Sequence, residues 1–355
     1  CRQLEVSQPV LTNDDIRRLK QSEMTDFKVA TVSILFSTAE EQPALSDAID
    51  SVSEEVEKKI NEGYSLIVLS DRGVDKTHAA IPSLLAIGGV HSYLVRRGKR
   101  HLSGLILETG EAREVHHFAT LIAFGASGIN PYLVFESITD LMERGYISRD
   151  LTLNDAFEHY ITAVKKGLLK IMSKMGVSTI RSYRGSQLFE AVGLNREFIG
   201  RFFPGTITRI EGIGLEAIER ESRERHTGGF RRDQLETELS SGGKYAYRKN
   251  EEKHLLTPEA VVLLQKAVRT GDFSLFKQYS AAINNVEENL CTLRGLFRFK
   301  KRNPVPLEEV EDETEIVKRF YTGAMSFGSI SKEAHETIAR AMNRLGAGSN
   351  SGEGG

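Results

Sequence analysis

Short apolar runs alternate along this chain with longer stretches that are apolar on one side only. Residues 66–69 and 104–107 are apolar throughout, which is typical of strands buried on both faces of a parallel sheet. Residues 154–175 place apolar side chains at helical spacing and are followed by Gly176, a common helix stop. The alternation predicts an α/β fold in which helices flank a parallel sheet, either as a barrel-like layer or as an open sheet.

The same periodicities predict further elements. Helices are expected over residues 44–60, 114–125, 257–268 and 273–283, and strands over 126–130 and 177–182. From residue 219 to residue 253 the apolar rhythm stops, Arg and Glu crowd together, and two Gly-Gly pairs occur. This composition is typical of a surface excursion or a domain junction.

The overall composition is that of a globular protein and excludes several classes. With 355 residues the chain could form two or three domains or one large α/β unit. A net charge of −2 gives no electrostatic basis for nucleic-acid binding. No apolar run approaches the roughly 20 residues of a membrane span. Two cysteines, Cys1 and Cys291, cannot form a disulfide framework or hold a metal cluster by themselves, so a reducing, cytoplasmic location is expected.

The segment from Gly323 to the end of the chain is the richest in chemical information. It predicts a Gly/Ser turn, a helix capped by Ser331 that ends near Leu345, and a second Gly/Ser loop. The predicted core stripe of that helix comprises Ile330, Ala334, Ile338, Met342 and Leu345. If an extended segment precedes the turn, both loops fall on the same side of a parallel sheet, where ligands bind. Gly-rich backbone can approach an anionic or ring-shaped cofactor closely.

The two ends of the sequence are unusual for a complete domain. The chain begins with Cys rather than Met, and it stops inside the second Gly/Ser loop with nothing to pack behind it. We therefore expect a piece of a larger protein, cut at both ends.

Charged residues follow two of the predicted strands at their carboxyl ends. Asp71 and Arg72 follow the first strand, and Glu108, Glu111 and Arg113 follow the second. Side chains at this edge of a sheet could perform acid–base or metal chemistry. A structural ion-pair cluster is the favoured interpretation, since ion-pair networks also bring charges together.

The structural interpretation predicts specific partners for these residues. Arg113 is expected to pair with Glu108, Glu111 or Asp71, and Asp71 to be bonded to Arg72, Arg96 or Arg97. The neighbouring His116 and His117 are adjacent in a predicted helix, so their side chains point about 100° apart and cannot easily share a metal.

Several segments together resemble one family, the large subunit of glutamate synthase, an iron–sulfur flavoprotein that makes glutamate from glutamine and 2-oxoglutarate. The segments that carry the resemblance are residues 70–75, 108–117, 167–176, 182–185, 322–335 and 349–355. They occur in one order over essentially the whole chain, which makes the resemblance much more specific than any one motif.

The resemblance implies a domain layout. Residues 1–235 resemble the family's central domain without its start, an α/β unit whose topology is similar to a barrel. Residues 236–310 are then a junction and helical lead-in. Residues 311–355 would be the first strand and helix of the FMN-binding (β/α)8 barrel, without the rest of that barrel.

The resemblance also implies an activity for the parent protein. Ammonia released by a glutaminase domain would condense with 2-oxoglutarate, and reduced FMN would deliver hydride to the resulting imine. The parent would carry FMN and an iron–sulfur cluster. Neither cofactor is expected to be bound to this chain by itself. Implied partners are the glutaminase domain and FMN barrel of the same chain, and either a small NAD(P)H-oxidising subunit or ferredoxin, with no role for nucleic acid or membrane.

The resemblance places site residues only near the end of the chain. Ala324, Met325 and Ser326 would end the first barrel strand and face the flavin ring. Gly348, Ser349, Asn350 and Glu353 would lie on the 2-oxoglutarate side. The family more often has Thr where this chain has Ser351, so the hydroxyl is kept. No catalytic residue is assigned within the chain.

Cys1 could be taken for a catalytic nucleophile, because glutaminases of this family use an N-terminal Cys in that role. That Cys is followed by a Gly-rich sequence, whereas Cys1 is followed by Arg2, Gln3 and Leu4. Cys1 is therefore interpreted as an interior residue and not as the nucleophile.

Two other functions stay open from the sequence. The chain could be a non-catalytic, barrel-like interaction module. It could also be a free-standing lyase for phosphorylated ligands on a complete barrel, which requires a second Gly-rich phosphate loop that we do not find between residues 178 and 300.

Overall fold

The computed structural model describes residues 4–21, 27–39, 45–148, 150–230, 246–249, 251–285 and 290–352. Contacts between Cα atoms divide the chain into two compact units, residues 1–241 and 242–355. None of the helices within the described ranges combines the length and the apolar character of a membrane span.

The first unit alternates strands and helices. Its described strands are β1 (Val29–Ser33), β2 (Leu35–Ser37), β3 (Leu66–Ser70), β4 (His78–Ala80), β5 (Gly104–Glu108), β6 (Gly128–Asn130), β7 (Glu190–Leu194) and β8 (Ile207–Ile213). Its described helices are α1 (Asn13–Gln21), α2 (Leu45–Asn61), α3 (Ser83–Arg96), α4 (Val115–Ala123), α5 (Tyr132–Glu143), α6 (Leu153–Lys174), α7 (Ile180–Tyr183), α8 (Arg196–Phe202) and α9 (Leu215–Phe230).

A four-stranded parallel sheet in the order β1-β3-β5-β6 forms the centre of this unit. All of its pairings are parallel, and helices α2, α3 and α4 connect or follow its strands. The predicted α/β class, with a parallel sheet and flanking helices, is confirmed. The strands predicted at 66–69, 104–107 and 126–130 are confirmed as β3, β5 and β6.

The two faces of the sheet are covered differently. On one face, Ile67 and Leu107 belong to the large core that the surrounding helices complete. On the other face, Val68 and Ile106 pack with Ile16 of α1 in a small separate cluster. Because side chains alternate along a strand, the polar residues that end β3 and β5 on this second face lie on the same side as α1.

Two smaller strand pairs complete the first unit. Strands β2 and β4 pair antiparallel, and β7 and β8 pair parallel with irregular register.

Most of the helices predicted here are confirmed, namely α2, α4 and α6. Helix α6 begins with a reciprocal capping box in which Thr152 and Asp155 bond each other's backbone N–H groups. The strand predicted over residues 177–182 is wrong. A short helix, α7, forms there, and Thr179 caps it by accepting a hydrogen bond from Ser182 N.

The second unit is helical in its described parts. Its helices are α10 (Pro258–Thr270), α11 (Phe273–Asn284), α12 (Glu313–Val317) and α13 (Lys332–Leu345). Helices α10 and α11 confirm the predicted pair, and Asp272 caps α11. Buried apolar residues are scarce among the described residues of this unit, Ala260 and Ala267 being the ones that qualify.

Candidate functional site

Glu108 is the centre of a polar cluster at the carboxyl edge of the parallel sheet. Its carboxylate is 3% exposed. It accepts hydrogen bonds from Lys20 Nζ (2.8 Å), Ser70 Oγ (2.6 Å) and Arg72 Nε (3.0 Å). Burial by itself would raise the pKa of Glu108, but the hydrogen bonds and charges of these neighbours outweigh it and lower that pKa.

Asp71 lies beside this cluster with neutral partners. It accepts hydrogen bonds from Thr109 Oγ1 (2.7 Å) and Gly110 N (2.9 Å), and the nearby Tyr132 hydroxyl also favours its ionised form. Burial raises the pKa of Asp71, although these hydrogen bonds act in the opposite direction. Burial and the nearby Asp71 charge likewise raise the pKa of Tyr132.

The arginine partners predicted for Asp71 are wrong. Arg72 pairs with Glu108 and with Glu136, and its guanidinium lies 3.9 Å from the Tyr132 ring centroid. Arg96 donates instead to the Arg201 carbonyl, and Arg97 is near Glu57. Asp71 points toward the end of β5, because the hydroxyl and the backbone amide there donate hydrogen bonds to its carboxylate, and neither of these donors is a cation.

Glu111 and Arg113 do not take part in the salt bridges that Glu108 forms with Lys20 and Arg72. The Glu111 carboxylate accepts a hydrogen bond from the backbone N–H of Ser83, the first residue of α3. The pairing predicted for Arg113 is wrong: among the described residues its side chain forms no salt bridge with Glu108, Glu111 or Asp71. Its backbone is held instead, since the Arg113 carbonyl accepts from Tyr160 Oη (2.9 Å).

The cluster is a closed network of partners. A buried chain of hydroxyls links Ser83 to Thr109 (2.6 Å) and Thr109 to Asp71. Each of the three carboxylates, Asp71, Glu108 and Glu111, already has protein donors, and the structural interpretation of these residues stays a prediction.

Four members of the network were missed from the sequence. Thr109 directly follows β5 and Tyr132 lies two residues after β6, so their position near a predicted strand end was a usable signal. Ser83 and Lys20 carried no such signal, since Lys20 reaches Glu108 from far away along the chain.

The adjacent histidines do not converge. His117 Nδ1 accepts from the backbone N–H groups of Arg113 and Glu114, whereas the His116 ring packs edge-on against Phe189. Across the described residues, no group of three or more His, Cys, Asp or Glu side chains is arranged to hold a metal ion.

A second candidate site lies in the second unit, where the two Gly/Ser segments meet. Gly348 N donates to the Phe320 carbonyl (3.0 Å), and Thr322 N donates to the Gly348 carbonyl (3.2 Å). These bonds form a parallel bridge between Tyr321 and Gly348. The Thr322 hydroxyl then accepts from Asn350 N (2.9 Å).

The predicted flavin-side and substrate-side residues are brought together by this bridge. A Cβ placed on Gly352 would lie 3.4 Å from Ser326 N and 3.5 Å from Ala324 Cβ. The Gly352 N–H is bonded to Asn350 Oδ1 (3.0 Å), and Gly352 has a φ of +72°. The two segments therefore form one continuous surface.

This surface is open to solvent. Met325 is 37% exposed, and Ala324, Ser349 and Asn350 are also exposed. Glu353, predicted to lie here, falls outside the described residues, as does Cys1. We use the name terminal surface for residues 322–326 and 348–352.

The helix between the two segments matches its prediction in position but not in burial. Ser331 Oγ caps α13 by accepting from Ala334 N (3.3 Å), and Gly346 ends it in the left-handed conformation. The predicted core stripe is wrong as to burial, because no residue of α13 is buried and Leu345 is 56% exposed. The apolar side of α13 has too few described neighbours to cover it.

The segment before the first Gly/Ser turn had no clear periodicity. The structure places α12 there and makes the chain extended only at the Tyr321 bridge. No regular strand is assigned over residues 322–326.

Comparison with protein families gives two matches that together span most of the chain. Residues 1–195 match the glutamate synthase central domain, and residues 254–355 match a conserved region in glutamate synthase.

Curated relatives match the chain along its full length. It is 44% identical to the glutamate synthase [NADPH] large chain of Bacillus subtilis, covering 100% of this chain and 23% of that protein. It is 40% identical to glutamate synthase [NADH] of Schizosaccharomyces pombe, covering 100% of this chain and 17% of that protein. It is 38% identical to the ferredoxin-dependent glutamate synthase of Cyanidium caldarium, covering 99% and 23%. The chain thus spans less than a quarter of the length of these relatives.

Solved structures similar to this chain include a mutant flavocytochrome b2 with benzoylformate. The match covers 45% of this chain and 40% of that chain at 17% identity, with a TM-score of 0.31. A likeness this weak carries no argument.

Proposed function

Because this chain belongs to the glutamate synthase family, we propose that it serves a glutamate synthase as interdomain scaffold and as one wall of the synthase site. The parent enzyme would form glutamate by reductive amination of 2-oxoglutarate with ammonia derived from glutamine. The observation that carries the proposal is the terminal surface, which joins the two segments assigned to the flavin and to the substrate.

The terminal surface fits a flat cofactor such as FMN. Apart from Met325 and Asn350 its residues are small, three of them glycine, so backbone groups remain accessible to a ring. The two segments lie close together, since a Cβ on Gly352 would be 3.5 Å from Ala324 Cβ. When bound, FMN supplies the hydride for the reduction. Ala324, Met325 and Ser326 would position the ring, as a protein does for a flavin through packing and hydrogen bonds.

The substrate side of the terminal surface has donors suited to a dicarboxylate. Ser349 is exposed, and its hydroxyl makes no hydrogen bond within the described part of the chain. Asn350 instead shapes the loop, since its side chain accepts from Gly352 N and its backbone N–H is bonded to Thr322. We assign Ser349 to ligand binding and Asn350 to positioning, with Gly348 on the same side.

The first unit would act as the scaffold between the glutaminase and the FMN barrel. Its polar cluster at the sheet edge is internally satisfied, which suits a structural role better than a catalytic one. Its sheet is proposed to belong to a barrel-like domain. The iron–sulfur cluster, the glutaminase, and the electron donor, which is a small NAD(P)H-oxidising subunit or ferredoxin, are assigned to other parts of the enzyme.

A substitution of Ser349 tests the proposal in the complete enzyme. We expect Ser349→Ala to raise the KM for 2-oxoglutarate roughly tenfold while the FMN content stays unchanged, because a hydrogen bond to a carboxylate is lost. Thr337→Ala, which removes a hydroxyl on α13, is the matched control and should leave KM unchanged. An unchanged KM in Ser349→Ala would overturn the substrate-side assignment.

A further inference from the structure

A group of basic side chains without a counter-charge lies at the amino ends of β5 and β6. His91, Arg100 and Arg184 approach one another there, next to Ser103 and Ser127, which immediately precede the two strands. No carboxylate among the described residues forms a salt bridge with Arg100 or Arg184. Other partly buried cations of the first unit do have one, as Lys20 has Glu108 and Lys99 has Glu57.

Arg100 is bonded to the protein through each of its three side-chain nitrogens. Its guanidinium donates to His91 Nδ1 (2.9 Å), to the Ser103 carbonyl (2.7 Å) and to the Gly125 carbonyl (2.8 Å). These bonds fix the segments that lead into β5 and β6. Burial and the two guanidinium charges lower the pKa of His91 to about 4, so the ring accepts this hydrogen bond as a neutral imidazole.

Arg184 forms hydrogen bonds with only part of its guanidinium group within the described residues. Its Nη1 donates to Ser127 Oγ (2.8 Å). Its Nε is buried and has no partner, and the described residues provide no acceptor for Nη2. Nε–H and Nη2–H form the side-on edge of the guanidinium, whose two parallel donors match the two oxygens of a carboxylate or phosphate.

A further unsatisfied donor belongs to the same group. The Ser103 hydroxyl is buried without a hydrogen-bond partner, and Ser103 is 8% exposed. The carbonyl of this residue is the one that Arg100 holds. Burial lowers the pKa values of both arginines, and a neighbouring positive charge adds to this effect, from Arg184 at Arg100 and from Arg181 at Arg184. An unpaired charge and an unpaired hydroxyl are costly when buried, and an anion relieves both.

We propose that the side-on edge of Arg184, together with the Ser103 hydroxyl and the charge of Arg100, forms a binding site for a small oxyanion. The ligand is a phosphate or a small carboxylate, since both present paired oxygens to a guanidinium. Arg184 as a residue is only partly buried, but its Nε and the Ser103 hydroxyl are buried, so the site suits a small anion only.

Equilibrium dialysis of the full protein with labelled inorganic phosphate tests this site. We expect saturable binding that Arg184→Gln weakens roughly tenfold or more, since a charge-assisted pair of hydrogen bonds is lost. Arg144→Gln is the matched control, because Arg144 is an exposed arginine that pairs with Asp140 and should leave the affinity unchanged. Displacement of the label by acetate at constant ionic strength would identify the preferred ligand as a carboxylate, and resistance to acetate would identify it as phosphate.

Two further variants keep the test decisive if Arg184→Gln does not fold. Arg184→Lys retains the charge but not the paired donors, and Ser103→Ala removes only the hydroxyl; both should weaken binding several-fold. The proposal is overturned if the wild-type protein binds neither anion saturably. It is equally overturned if Arg184→Lys and Ser103→Ala bind like the wild type, or if Arg144→Gln lowers the affinity as much as the Arg184 variants.

Discussion

At the scale of single residues, the two buried carboxylates of the sheet edge differ in the partners they have. Glu108 is surrounded by cations and a hydroxyl, which favour its ionised form. Asp71 has hydroxyl and amide donors only, and burial dominates its titration. The pKa values of the two groups therefore shift in opposite directions, although they lie at the ends of neighbouring strands.

The lowered pKa of Glu108 predicts how stability depends on pH. A carboxylate whose folded pKa lies below its unfolded value of about 4.5 stabilises the fold fully above that value, and this contribution is lost as the pH falls through the folded pKa. Glu108→Gln should therefore reduce the free energy of unfolding at pH 7 by ~2 kcal/mol, moderated because Lys20 and Arg72 are partly exposed. Urea unfolding between pH 3 and pH 7 measures this.

The control for this prediction is the exposed pair of Arg144 and Asp140. Asp140→Asn should change the free energy of unfolding by no more than about 0.5 kcal/mol. A Glu108→Gln variant whose stability declined in acid as steeply as that of the wild type would contradict the assigned role of Glu108.

At the scale of elements, close approach between helices α4 and α6 depends on one glycine. A Cβ on Gly167 in α6 would lie 2.5 Å from a methyl carbon of Val115, the first residue of α4. Alanine has the higher helix propensity, so propensity and packing make opposite demands at this position. The sign of the change in the free energy of unfolding caused by a substitution there shows whether propensity or packing dominates.

We expect packing to dominate, so Gly167→Ala should destabilise the protein by about 1–3 kcal/mol. The double variant Gly167→Ala/Val115→Ala should be destabilised by less than the sum of the two single variants, because the smaller side chain at position 115 makes room for the methyl group at position 167. Thermal or urea unfolding of all four proteins completes the double-mutant cycle. Purely additive effects would rule out the close contact.

The bridge between Tyr321 and Gly348 is an element of the terminal surface that a single methyl group can test. A Cβ on Gly348 would lie 2.1 Å from a carbon of the Tyr321 ring. We expect Gly348→Ala to displace that ring and to speed amide hydrogen exchange of Thr322 and Gly348 by roughly tenfold or more, because overpacking costs more than about 1 kcal/mol.

Gly323→Ala provides the matched comparison. No atom lies within 4 Å of a Cβ at this position, so exchange of the same two amides should be unchanged. Equal exchange rates in both variants and the wild type would show that the bridge does not hold the two segments together.

At the scale of the whole molecule, the two units differ in how far their apolar residues are buried. The large core lies entirely in the first unit, whereas α13 in the second unit buries none of its residues. In the proposed function the terminal surface supplies only one side of a ligand site, and the chain covers 23% of the Bacillus subtilis relative.

We therefore predict that the 355-residue chain, expressed alone, shows neither glutaminase nor synthase turnover and binds no FMN tightly. Flavin fluorescence after purification and a steady-state assay of glutamate formation measure the two properties. Flavin-dependent glutamate formation by the isolated chain would refute the scaffold assignment and indicate a complete site.

The hydrophobic pattern was sufficient where one element buries one regular set of side chains. It located β3, β5 and α6 because continuous apolar runs and helical stripes follow directly from burial on two faces or on one. It failed at residues 177–182, where the Thr179 cap favours a helical turn over a strand. The partners of Asp71 and Arg113 were also missed, since several arginines and donors were equally close in sequence.

By itself, the sequence determined the α/β class, most of the secondary structure, the family, and the two terminal segments that carry the proposed site. Each of these follows from local periodicity or from the order of motifs along the chain. Only the tertiary structure decided that Lys20 neutralises Glu108, that Gly352 lies against Ala324, and that Arg184 has no counter-charge among the described residues. These contacts join positions far apart in the chain, or depend on which nearby donor points inward, and no local pattern specifies either.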